Sequence, residues 1–154
     1  MKPLVETNQK AIDIAILLLR IMAGLILFVA GAGKVLGWFG GFGMTTTTEL
    51  FKSNMHLSAF WAYVSSYAEF VGGFLIIIGF LTRFAAITLV INMVVATLLV
   101  GFKNFFLGGA AYPCLLFVVF MVIVLTGPML YSVDGWLYNK KSTGTINLKL
   151  STAL

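Results

Sequence analysis

Apolar residues fall into four long runs, at about residues 11–33, 59–81, 84–102 and 108–130, separated by short polar stretches. At 1.5 Å per residue, runs of this length reach across a hydrocarbon core of ~30 Å. The polar residues inside them recur at helical spacing. In the first run Asp13, Arg20, Leu27 and Lys34 are seven apart, and Gly24 and Gly31 follow Arg20 and Leu27 by four. All share one face of a helix, and that face is small and charged. The second run places Ala62, Ser65, Ser66, Glu69, Gly72, Gly73 and Ile76 on a single stripe. In the third, Ala85, Thr88, Asn92 and Ala96 form a small or polar face. The fourth has Tyr112 and Pro113 near its start and Gly127-Pro128 near its end. The pattern predicts an all-α integral membrane four-helix bundle whose small, polar faces look inward.

The long connection, residues 34–58, separates the first two runs. Gly33, just before it, and Gly37 and Gly41 within it are four apart, a spacing that permits close backbone packing, interleaved with Trp38, Phe39 and Phe42. Thr45 to Thr48 and Glu49 predict a short surface helix through Leu57, so the segment is either an interfacial or re-entrant lid or a loop with aromatic anchors. Residues 1–138 then form a single transmembrane domain, and residues 139–154 a polar cytoplasmic tail. The first run resembles a secretory signal, but Arg20 interrupts its apolar centre and the run is too long, so a spanning helix is expected.

Composition supports the membrane reading. The 154 residues are 60% hydrophobic and 10% charged, with mean hydropathy +1.04; soluble domains are ~25% charged. The net charge of +5 comes from lysines near the ends of apolar runs, which anchor and orient a bilayer protein rather than bind nucleic acid. Lys2, Lys10, Arg83, Lys140, Lys141 and Lys149 share one side of a four-span topology, and Lys34, Lys52 and Lys103 the other. Positive charge marks the cytoplasm, which puts both termini there, in a plasma (inner) membrane. One cysteine, Cys114, and one histidine, His56, exclude an intrachain disulfide, a zinc site and a paired-histidine haem within one chain. Each is read as structurally ordinary: a packed thiol and a solvated loop imidazole.

Charge within a span costs ~3 kcal/mol on insertion scales, so such residues face the bundle and pair. Measured along the helices from the Arg83 side, Arg20 lies ~12 Å in, Glu69 ~18 Å and Asn92 ~12 Å. An Arg20–Glu69 pair with Asn92 as third partner is therefore expected. It serves either as interhelical glue or as the lining of a pocket for a polar head group or a proton. Lys34, at the outer end of the first span, either snorkels to lipid phosphates, the leading reading, or clamps a pocket mouth roofed by Trp38 and Phe39. Tyr112 and Thr88 are weaker candidates, as is Trp38. No metal site is expected.

RIMAGLILFVAGAGKVLGW, AEFVGGFLIIIGFLTRFAA and GPMLYSVD, arriving in this order, resemble three motifs of the DoxX family. The resemblance covers roughly Ile14 to Asp134. Its motif positions are Arg20, Gly24, Gly31, Lys34, Glu69, Gly72, Gly73, Gly79, Arg83, Gly127, Pro128, Ser132 and Asp134. Met129 stands where the family's Gly-Pro-Gly usually has its second glycine, and Gly-Gly-Ala-Ala-Tyr stands where members often carry an acid. The resemblance implies a four-helix membrane protein like the small subunit of a thiosulfate:quinone oxidoreductase, in a family linked to membrane redox complexes.

On this basis the leading expectation is a quinone-facing subunit or accessory of a membrane oxidoreductase. A partner would carry the electrons, since the chain has no ligand set for metal, haem or flavin. The alternatives are a non-catalytic structural subunit of a larger membrane complex and a small transporter or lipid-handling protein. Expected partners are the lipid bilayer and other membrane or membrane-associated subunits, with a homo-oligomer open and nucleic acid excluded.

Overall fold

A computed structural model describes residues 8–100, 109–138 and 140. Among these there are helices and no strand: α1 (Gln9–Leu36), a 3-10 turn (Trp38–Gly40), α2 (Gly43–Met55), α3 (Ala59–Ile78), α4 (Thr82–Val100) and α5 (Ala111–Thr126). Helices α1, α3, α4 and α5 form a ring in which α1 packs on α3 and α5, and α4 on α3 and α5; α2 packs across α1 and α3 at one end. Three of the helices are long and apolar enough to cross a membrane. The fourth, α5, has 16 residues and spans ~24 Å. It stops at Gly127 (φ 75°), and Pro128 follows, so residues 127–130 lie outside the helix expected over 108–130. The 101–108 connection and the tail of residues 139–154 lie outside the described residues, Lys140 excepted.

Small residues set the register of α1 against α3. A Cβ on Gly31 would collide with the backbone of Glu69 and Phe70, and one on Gly73 with the backbone of Phe28 and Gly24. The two helices therefore meet backbone to backbone, antiparallel. Phe28 stacks on Phe70 at 5.1 Å, on the flank of the same contact. The helix is 28 residues long, against 20 in α3, and Gly79 after α3 already reaches the Arg20 guanidinium. About three turns at the start of α1 therefore project past the end of α3 and pack on the segment after α5.

The buried face of α3 is Ala62, Ser66, Glu69, Gly72, Gly73 and Ile76, the expected stripe with Ser65 at its margin. In α4 the core seam is Ala85, Ala86, Leu89, Met93 and Thr97, while Thr88, Asn92 and Ala96 sit half-buried beside it, at the edge of the bundle's apolar centre. That centre is built from Leu27, Ile76, Leu89, Phe120 and Ile123. Many large apolar residues point outward on all four helices, as a lipid-facing bundle requires.

The glycine series at 33, 37 and 41 serves a turn instead of a helix pair. Gly37 (φ 71°) ends α1, and the chain doubles back until Gly41 lies on the backbone of Gly33. Helix α2 then runs over exposed and half-buried residues, many of them polar, with only Thr47 buried, close to the surface helix expected from Thr45.

Candidate functional site

Glu69 lies midway along α3, ~15 Å from either end. Its side chain is 7% exposed and accepts from Lys34 Nζ at 2.5 Å (Oε2) and from Asn92 Nδ2 at 3.2 Å (Oε1). The structure thus brings the candidates Glu69 and Asn92 together. The cation is Lys34.

The expected Arg20–Glu69 pair is corrected by the structure. Arg20, 2% exposed, donates through Nη1 to the carbonyl of Pro128 and through Nη2 to that of Tyr131, both at 2.7 Å. Two geometric facts separate it from Glu69. The overhang of α1 puts Arg20 level with Gly79, ten residues beyond Glu69, or ~15 Å along α3. In addition, a helical Cα–Cβ bond tilts towards the helix N-terminus. On antiparallel helices Arg20 therefore points away from mid-span and Glu69 points towards the α2 end. The same tilt turns Lys34 inward from the last turn of α1, so its stem runs down to Glu69 instead of out to phosphates, the leading expectation. Its side chain is 35% exposed, enough to keep contact with the lipid–water boundary.

The weaker candidates fall outside the cluster or at its edge. Trp38 and Phe39 are exposed and lie edge to face at 6.4 Å. Thr88 donates to the carbonyl of Phe84 in its own helix. Tyr112 lies half-exposed in the first turn of α5. The residue missed as a site member is Ser66. One turn from Glu69 on the same buried face, it is fully buried and its Oγ has no hydrogen-bond partner among the described residues. Its position on the stripe was the available signal.

A second polar layer closes the opposite end. Asp134 accepts from the backbone N–H of Leu81 (3.0 Å) and Thr82 (2.8 Å) and from Thr82 Oγ1 (2.9 Å), and so caps α4 from 52 residues away. Its own N–H donates to Gly79 O. Gly79 (φ 70°) faces the Arg20 guanidinium, and Gly127 (φ 75°) faces that of Arg83. Arg20, Gly79, Arg83, Gly127, Pro128, Ser132 and Asp134 therefore converge into one latch that ties the last segment to the α3–α4 turn. Met129 adopts φ 55° in that latch, a conformation that suits glycine. This is the residue that departs from Gly-Pro-Gly.

Fold and site together define a class: an all-helical integral membrane protein built as a four-helix bundle around a buried glutamate paired with a part-exposed lysine. The DoxX family model matches residues 15–101, and the chain belongs to the DoxX family. It is 30% identical to "Putative oxidoreductase CatD" of Bacillus subtilis (strain 168), over 90% of this chain and 98% of that protein. It is also 30% identical to "Inner membrane protein YqjF" of Escherichia coli (strain K12), over 86% of this chain and 98% of that protein. No solved structure matches.

Proposed function

We propose that this DoxX-family protein is the membrane-embedded, quinone-facing subunit or accessory of an oxidoreductase. It would sit in a bacterial inner membrane with both termini in the cytoplasm. The observation that carries the reading is the Lys34–Glu69–Asn92 cluster at mid-span, one helical turn from the fully buried Ser66 hydroxyl, which has no partner among the described residues. Ionisable groups held at this depth mark functional sites by default. A quinone carries an apolar ring and carbonyl acceptors. The donors present fit it: Ser66 Oγ has a free proton, and Lys34 has further N–H bonds beyond the one given to Glu69. Bound there, it would accept two electrons from a partner subunit and two protons. Lys34 orients and polarises the carbonyl oxygen, Glu69 exchanges a proton with the site, and Asn92 holds the carboxyl in place. The name of the B. subtilis relative agrees with a redox role.

The test is to purify the full chain in mild detergent, extract it with organic solvent and measure quinone by absorbance and mass. About one quinone per chain is expected, falling sharply in Ser66→Ala and Lys34→Gln at equal folded yield. Larger subunits that co-purify without quinone would replace this reading with that of a structural subunit.

A further inference from the structure

At the Arg83 end, a cavity of about 830 Å3 opens between the start of α1, the first turn of α4 and the segment after α5. Its walls are largely apolar, with Leu81, Phe84, Met129 and Leu130 among them. Three charged residues also line it: Asp13, Arg83 and Asp134. Both oxygens of Asp134 are occupied by the α4 cap. Asp13 differs. It is 2% exposed, and its Oδ2 has no hydrogen-bond partner among the described residues. A buried carboxyl oxygen without a donor is strongly disfavoured, and in native proteins it calls for a ligand, ion or water. Arg83 is exposed at the same cavity, its guanidinium backed by Gly127. The cavity therefore offers an inner anion and an outer cation, apolar walls around them, and a position at the ends of spanning helices, where lipid headgroups lie.

We propose that this cavity binds the headgroup of a zwitterionic, primary-amine phospholipid, with the ammonium on Asp13 and the phosphate on Arg83. Each contact is a charge-assisted hydrogen bond, and an ammonium supplies the donor that Asp13 lacks. The apolar walls take the glycerol and the first methylenes of the acyl chains. An anionic headgroup without an amine meets Arg83 equally well but leaves Asp13 unpaired, which sets the preference. This site is separate from the Lys34–Glu69 cluster and stands independently of its proposed role.

The delipidated full chain in neutral detergent is titrated with phosphatidylethanolamine or phosphatidylglycerol. Retained lipid is read by native mass spectrometry and stability by thermal unfolding. Phosphatidylethanolamine should be retained on the order of tenfold more strongly and should raise Tm. Asp13→Asn should erase that preference while leaving the lipid-free Tm unchanged or higher, because it removes the charge from a buried group that has no donor partner among the described residues. Arg83→Gln, on the surface, should weaken both lipids alike, and it keeps the test informative if Asp13→Asn folds poorly. Water-soluble phosphoethanolamine should give no shift at the same concentration. Equal retention of the two lipids by the unaltered protein, an undiminished preference in Asp13→Asn, or a full shift with soluble phosphoethanolamine would each overturn the proposal.

Discussion

Replacing Lys34 by methionine keeps the length of the stem and removes the charge that faces Glu69. The carboxylate left behind is 7% exposed and, among the described residues, retains only Asn92 as a partner. Breaking a buried pair in this way costs roughly 3–5 kcal/mol when both partners are buried. Lys34 is 35% exposed, so part of its attraction is already screened, and about 2–3 kcal/mol is the expected loss. The reverse change, Glu69→Gln, leaves a lysine that can swing to the lipid–water boundary, and an amide that still accepts from Asn92; its expected loss is ~1 kcal/mol. The order of the two single variants is thus fixed by which partner is deeper. The double variant should be less damaged than the sum, with a coupling of ~1–2 kcal/mol. Reversible unfolding in mixed micelles, followed by helical circular dichroism, measures all four corners. The same cycle on Arg20 and Glu69 should couple by no more than ~0.5 kcal/mol, because Arg20 spends its hydrogen bonds on Pro128 and Tyr131. A larger coupling for Arg20–Glu69 than for Lys34–Glu69 would refute the assignment of partners.

Gly31→Ala should destabilise by more than ~2 kcal/mol, since its methyl would press on the rigid backbone at Phe70, whereas Gly72→Ala meets only the flexible Leu89 side chain at 3.1 Å and should lose less; parallel unfolding curves decide the order. Asp134→Ala removes three hydrogen bonds at the start of α4 and should cost ~2–3 kcal/mol, with hydrogen exchange accelerated at the Leu81 and Thr82 amides and unchanged at mid-α3. Met129→Gly relieves a left-handed residue and should raise stability by up to ~1 kcal/mol, provided the lost packing of a half-buried side chain is small; a lowered Tm would show that the methionine is held there by its contacts.

The sequence by itself determined the membrane class, the all-helical fold and the inward face of α3, because each is a local matter. A run of apolar residues must avoid water, and a helix repeats every 3.6 residues wherever it sits. Glu69, Gly72, Gly73 and Ile76 share a face whatever they pack against. The ends of the helices were less legible: Gly79 stops α3 and Gly127-Pro128 stops α5, each before the end of its apolar run. The partner of each charge was a different kind of question. Arg20 and Lys34 are both cations on the same face of α1, and nothing local distinguishes which one meets Glu69. Only the tertiary structure decided it. Backbone contact at Gly24, Gly31 and Gly73 sets the register of α1 on α3, that register leaves the start of α1 overhanging, and the antiparallel sense aims Lys34 towards the acid and Arg20 away from it. Asp13 became conspicuous for the same reason: its missing partner is visible only once the surrounding helices are in place.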